Sequence, residues 1–406
     1  MRVDLKLYSP WSTEIEELRA RKLYRAMPEM RGMPGRTGIV GDKEVLNFSS
    51  NNYLGLAGHP LVARSLAESA LRCGSGSTAS RLIAGNSEPH RELENFIAKW
   101  KGVPAALVFG SGYQANVGTL SSLAAAPDLI LSDELNHASI IDGCRLSRAQ
   151  VKVYPHKDLE NVECLLKAPG FRRKVVVTES VFSMDGDCAP LRELNEICRR
   201  RGALLMVDEA HATGVFGPEG QGLAQELGVV PEIQMGTLGK GVGTCGAYVA
   251  GSRELIELLV NKARSLIYTT ALPPALMCAT HTALGIVASQ EGKERRLRLW
   301  ENANTFREML PAGLARNTDP SHIVPVLIGE SSTTMQVSSE CLSRGVFAHG
   351  IRYPTVPEGT ARLRFTLMSD HTREDLRAAT EALAHAIDKV CSQQERPCRS
   401  CGSRNP

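Results

Sequence analysis

The chain has 406 residues, 43% of them hydrophobic and 22% charged, with a formal net charge of +3. That is the composition of an ordinary globular protein of two or three domains, and a charge so near balance gives no electrostatic case for nucleic acid or an anionic membrane as partner. The eleven cysteines are scattered and odd in number, which fits a reducing compartment; residues 1–25 hold no signal-type apolar core and no run approaches the ~20 apolar residues of a membrane span, so a cytoplasmic enzyme or binding protein is expected.

In chain order, STEIEELRARKLYRAM (12–27) reads as an amphipathic helix, with Ser12 and Thr13 as caps, acidic residues early and basic residues late. A glycine- and proline-rich stretch follows, and residues 1–50 read as an N-terminal arm. Residues 51–288 alternate between short apolar runs and helical stretches such as LRELNEICRRRGA. The runs are AALVF (105–109), LILS (129–132), VKVY (151–154), KVVVTE (174–179), ALLMVDE (203–209) and GAYVAG (246–251). Such a pattern predicts an α/β domain with a mostly parallel sheet covered by helices on both faces. Ligands of such sheets sit beyond the carboxyl ends of the strands, so polar residues at strand ends carry the interest. From 289 to 390 a charged helix, strand-like IVPVLIG and ARLRFTL, and REDLRAATEALAHAIDKV predict a smaller α+β domain. Residues 391–406 read as a disordered polar tail. Its Cys391, Cys398 and Cys401 lack a fourth ligand, and no metal site is expected there.

The chemistry gathers around TLGKGVG (237–243). The run fails as a phosphate-binding P-loop, because Gly241 stands where a Ser or Thr must follow the lysine. A lysine between glycines is ordinarily a surface turn. Its neighbours argue otherwise. ALLMVDEAHATG ends a buried-looking strand in Asp208, with His211 just beyond. A carboxylate at a strand tip either caps the next helix or holds a proton on a basic ring nitrogen, and a nearby histidine can bond a phenolic oxygen. Lys240 comes one strand-like segment later. A lysine that forms a Schiff base must lose its proton, and flanking glycines let backbone approach a planar cofactor. Thr237 offers a hydroxyl to a phosphate. GSGYQAN (110–116) places Gly112 and Tyr113 at a helix N-terminus, where free N–H groups suit a single phosphate. His137, in DELNHASIIDG, is either a solvated loop residue or a stacking partner for a flat ring.

The ordered motifs NFSSNNYLGL (47–56), SRLIAGNSEPHRELE, LNHASIIDG, TESVFSMDGD, VDEAHATGVFG, GTLGKGVG, LIYTTALPPA and IRYPTVPEGTARLRFTL (351–367) resemble the α-oxoamine synthase family of pyridoxal-phosphate enzymes over nearly the whole chain. The resemblance implies the fold-type I transferase architecture and an obligate homodimer with pyridoxal 5′-phosphate on Lys240. It implies that Asp208 pairs with the ring nitrogen, His137 stacks on the ring, and His211 and Ser183 hold the phenolic oxygen. Gly112, Tyr113 and Thr237 would lie at the phosphate, and Thr269 or Thr270 would reach the phosphate of the neighbouring subunit. Arg364 would take the amino-acid carboxylate, with Arg25, Asn51 and Thr355 lining the substrate side. The implied reaction is the decarboxylative condensation of L-alanine with a pimeloyl thioester, on CoA or a carrier protein, in biotin synthesis. The same chemistry on glycine and acetyl-CoA is the alternative.

Overall fold

The protein is represented by a computed structural model that describes residues 10–311, 313–314 and 319–394. Its centre is a seven-stranded sheet in the order Ala105–Phe109, Ala247–Gly251, Ile233–Thr237, Leu204–Asp208, Lys174–Glu179, Leu129–Asp133, Gln150–Tyr154. All neighbours pair in parallel except Ala247–Gly251, which runs antiparallel to both of its partners. Both faces of the inner strands are buried, whereas the edge strand Gln150–Tyr154 leaves Val151 and Val153 exposed. In Lys174–Glu179, Val175 and Val177 enter one core, and Val176 enters the other. Leu205 and Val207 likewise face away from Met206. A strand that alternates between two dry faces has no polar position to spare until its end. The polar residues therefore collect at the carboxyl tips: Asp133, Glu179, Asp208 and Thr237.

Helices cover the sheet. Gly112–Leu123 and Ala138–Ser147 pack on each other over one face. On the other side, Pro274–Ala288 packs against Pro60–Cys73 and Glu88–Lys101. The long helix Gln290–Met309 leads out to a smaller antiparallel sheet of Ile323–Gly329, Ala361–Thr366 and Gly350–Ile351, backed by Ser331–Ser343 and Arg373–Gln394. That last helix passes residue 390; Cys398 and Cys401 lie outside the described residues.

The expected helix over 12–27 is shorter. It spans Ser12–Ala20 with no buried residue, and Lys22 adopts φ +56°. An isolated helix of that length has no tertiary contact to sustain further turns. The 1–50 arm also divides in two. Strands Met30–Arg31, Thr37–Val40 and Lys43–Asn47 form a sheet that Val346–Phe347 joins in parallel, so 30–47 is tied to the C-terminal part of the chain.

Candidate active site

Asp208 ends its strand level with Glu179 on the next one, each the other's partner in register. Asp208 is 4% exposed; its Oδ2 accepts from Asn116 Nδ2 at 2.8 Å and its Oδ1 from the Ala210 amide at 2.8 Å. Asn116 also donates to Ser139 Oγ at 2.9 Å, so two helices fix the carboxylate. Glu179 is fully buried, and its Oε1 accepts the backbone N–H of His137 at 2.7 Å. Burial first, and then the Asp208 carboxylate, push Glu179 up to about 8, against the pull of the Lys240 ammonium.

Lys240 leaves the tip of strand Ile233–Thr237 in a tight turn closed by Gly243 N–H on Lys240 O at 2.9 Å. Its Nζ lies 3.0 Å from His211 Nε2. Burial pushes the amine down to about 8. The Asp208 and Glu179 carboxylates oppose that shift, and the Arg364 guanidinium adds to it. A lysine so placed holds a usable fraction of free amine near neutral pH, which a nucleophilic or basic lysine needs.

Three of the glycines around Lys240 have a cause within the protein itself. A Cβ on Gly236 would stand 2.4 Å from Thr213 Oγ1 and 2.5 Å from Tyr248 Oη. On Gly241 it would stand 2.5 Å from Thr213 O, and on Gly243, at φ +73°, 2.5 Å from the Ala57 amide. These glycines let the lysine turn press against neighbouring protein. Gly239 alone meets nothing nearer than 3.5 Å. Gly112 is the other close approach. A Cβ there would lie 2.7 Å from Thr237 Cγ2, so only glycine brings this helix N-terminus up to the Thr237 strand tip.

Past His211 the network continues. Tyr53 Oη stands 2.6 Å from His211 Nδ1 and 3.2 Å from Asn51 Oδ1. Asn51 Oδ1 accepts from Arg364 Nη1 at 3.2 Å, which also donates to Thr366 Oγ1 at 3.0 Å. Arg364 Nε donates to the Ser183 carbonyl at 2.5 Å, so Ser183 contacts the site through its backbone. Arg364 Nη2 is buried without a partner. The loop that carries Ser183 is clamped from below, where His156 bridges Asp133 at 2.9 Å and Asp187 at 2.7 Å.

Lys240, His211, Tyr53, Asn51, Arg364 and the Ser183 carbonyl thus form one chain of contacts, and Asp208 acts on Lys240 through its charge. His137 is an exposed residue whose ring is partly buried, with Nδ1 2.8 Å from Ser139 Oγ; burial, then the Asp208 and Lys240 charges, act on the ring. Thr237 Oγ1 donates to Ala210 O at 3.1 Å. The Tyr113 side chain turns away to donate to Asp142 and is half exposed. Thr269 and Thr270 sit just after the helix Arg264–Ile267. Arg25 and Thr355 meet each other at 3.1 Å, but on the wall of a separate hollow of about 760 Å³ that none of the Lys240 group lines. Sequence reading missed Tyr53, Glu179 and Asn116. Inspecting strand-end polar residues would have found Glu179; Tyr53 and Asn116 carry no comparable signal.

The profile of the aminotransferase class I and II family matches residues 43–383. The chain is 48% identical to the 8-amino-7-oxononanoate synthase of Geobacter sulfurreducens over 375 residues, which cover 91% of this chain and 96% of that one. It is 49% identical over 384 residues to the enzyme of the same name from Citrifermentans bemidjiense, covering 94% and 98%. Among solved structures, a serine palmitoyltransferase variant from S. paucimobilis with bound pyridoxal phosphate and myriocin superposes with a TM-score of 0.88 at 29% identity, covering 95% of this chain and 100% of that one. An 8-amino-7-oxononanoate synthase from Francisella tularensis gives 0.74 at 28% identity, covering 86% and 99%.

Proposed function

This chain belongs to the aminotransferase class I and II family and, within it, with the 8-amino-7-oxononanoate synthases, and on that premise we propose how its site works: Lys240 is the reacting amine of a decarboxylative condensation between L-alanine and a pimeloyl thioester. The product is 8-amino-7-oxononanoate, with release of CO2 and the free thiol. The observation that carries this reading is the buried amine itself, set 3.0 Å from His211 and pushed down to about 8 by burial against the opposing charges of Asp208 and Glu179.

The residues present suit pyridoxal phosphate. Asp208 is buried and braced by Asn116, as a partner for a protonated ring nitrogen must be. Gly112 presents a helix N-terminus beside Thr237, which suits a phosphate. Arg364 Nη2 is an orphan donor in a buried setting, and such a group costs stability unless a ligand satisfies it. When bound, the cofactor supplies an electron sink for the carbanion at the amino-acid Cα.

The chain's own residues do the rest. Arg364 grips the carboxylate of the amino acid, and Asn51 holds the guanidinium in place. Lys240, once free, takes the Cα proton as general base and later returns one. Asp208 keeps a proton on the ring nitrogen. With the cofactor bound, His211 and Ser183 would hold its phenolic oxygen, His137 would stack on its ring, and Gly112, Thr237 and the backbone of Tyr113, whose side chain turns to Asp142, would surround its phosphate. Thr269 or Thr270 completes the phosphate site of the neighbouring subunit in a cytoplasmic homodimer. Arg25 and Thr355 would take the acyl group in the hollow they wall together, beyond the Lys240 group. The large domain spans 51–288 and the smaller one 289–390.

The deciding experiment loads the full chain with pyridoxal phosphate and follows CO2 and thiol release. Turnover of L-alanine with pimeloyl-CoA or pimeloyl carrier protein is expected. Turnover confined to glycine with acetyl-CoA would move the chain to the alternative substrates. Pocket shape decides that pair, since one methyl is worth only ~1–3 kcal/mol. CO2 release with none of these substrates would overturn the reading.

A further inference from the structure

His211 is 5% exposed, and burial, followed by the Lys240 ammonium, holds its ring well below the usual histidine range. The ring is therefore neutral and carries one hydrogen. Which nitrogen carries it is set by what the other nitrogen meets. Nδ1 meets Tyr53 Oη at 2.6 Å. The phenol has one hydrogen and two candidate acceptors, His211 Nδ1 and Asn51 Oδ1. The contact with Asn51 is longer, 3.2 Å, and that oxygen already accepts from Arg364 Nη1. Burial pushes the phenol up to about 12, with the Arg364 guanidinium pulling the other way, so its hydrogen stays available at neutral pH.

We propose that Tyr53 is a positioning residue: its hydroxyl donates to His211 Nδ1 and so fixes the ring hydrogen on Nε2, facing the reacting amine of Lys240. An Nε2–H aimed at Nζ over 3.0 Å finds an acceptor in the free amine and none in the ammonium. The arrangement thus favours the amine. It also leaves Nε2–H as the donor for the phenolic oxygen of the cofactor. The charges facing Lys240 are Asp208, Glu179 and Arg364. Those facing His211 are Lys240, Arg364, His322 and His137. His322 also meets the Tyr53 ring edge-on, with centroids 4.1 Å apart. All of them persist in Tyr53→Phe, so a change in that variant reports the hydroxyl.

The inference rests on Lys240 as the reacting amine, but its test needs no turnover. The full-length chain, without cofactor and with ¹⁵N-labelled histidines, is observed by NMR near pH 8, with His211 assigned by its loss in His211→Asn. The expected result is a hydrogen on Nε2 and none on Nδ1. In Tyr53→Phe the hydrogen should redistribute between the two nitrogens. The pH midpoint for acylation of Lys240 should rise by about one unit, a tenfold loss of free amine at neutral pH. A hydrogen on Nδ1 in the wild-type chain overturns the proposal. So does a Tyr53→Phe protein whose ring form and Lys240 midpoint are both unchanged. If the variant does not fold, the wild-type spectrum decides alone. A chain with the expected ring form that releases no CO2 would cost the proposed function and leave this inference standing.

Discussion

Asp208→Asn tests the electrostatics of the site without relying on catalysis. Lys240 titrates at about 8, against 10.5 for an ordinary lysine. At pH 7 that leaves about one amine in ten free, compared with about one in three thousand for a lysine in water. Burial drives the shift, and Asp208 is the foremost group resisting it. Asparagine keeps the shape and at least one of the contacts to Asn116 and the Ala210 amide, while removing the charge. An opposite charge a few ångströms away is worth ~1–3 units. Taking the lower end, the midpoint falls by about one unit, and the free fraction at pH 7 rises from about a tenth to about a half. The assay is competitive acylation of Lys240 with trace acetic anhydride across pH 6–11, read by mass spectrometry on the cofactor-free chain. A midpoint in Asp208→Asn equal to or above that of the wild type would refute the argument, as would a wild-type midpoint near that of an ordinary lysine. The same substitution should leave little turnover at saturating cofactor, because nothing then holds the ring-nitrogen proton; near-normal rates would remove Asp208 from that role.

Lys240→Ala should abolish both the visible absorption of bound cofactor and all turnover; a variant that still consumes L-alanine excludes Lys240 as the reacting amine. Arg364→Gln removes a charged donor from the carboxylate, a loss of ~1.5–3 kcal/mol, so the KM for L-alanine should rise at least tenfold; an unchanged KM refutes the carboxylate role. Glu179→Gln should change how stability depends on pH. The Glu179 carboxyl is raised to about 8 in the folded chain, so between the carboxylate range and pH 8 the folded state holds more protons than the unfolded state, and stability falls as pH rises. The variant lacks that slope and should gain on the wild type steadily from pH 5 to pH 8 in thermal melts of the cofactor-free chain; a constant difference would show that Glu179 does not titrate in that window. Lys101 and Glu209 form an ion pair at 2.6 Å with both side chains fully buried. Lys101→Met removes the buried ion-pair partner of Glu209 and leaves it the Ala224 N–H on Oε1, at a cost of ~3–5 kcal/mol, and the melting temperature should drop by several degrees; no drop would mean that the pair contributes nothing net.

The sequence by itself determined the elements whose signal is local. Each of the six apolar runs coincides with a strand of the large sheet; five lie in strands buried almost throughout, which have to be almost continuously apolar, and VKVY forms the exposed edge. Lys240, Asp208 and the α-oxoamine synthase resemblance were legible for the same kind of reason: they lie in short contiguous motifs; the family match and the relatives agree with the resemblance. The tertiary structure decided everything that depends on contact across sequence distance. Tyr53 reaches His211 over 158 positions, Asn116 reaches Asp208 over 92, and Arg364 reaches the Ser183 carbonyl over 181. No periodicity encodes such meetings. The helix expected over 12–27 stops at Ala20 because propensity without a packed face does not hold a helix. Residues 30–47 join Val346–Phe347 because an edge strand takes the partner that the fold brings to it. The glycines around Lys240 were visible in the sequence, but their reason was not: what a missing Cβ makes room for is settled only when Thr213, Tyr248 and the Ala57 amide have been folded against it.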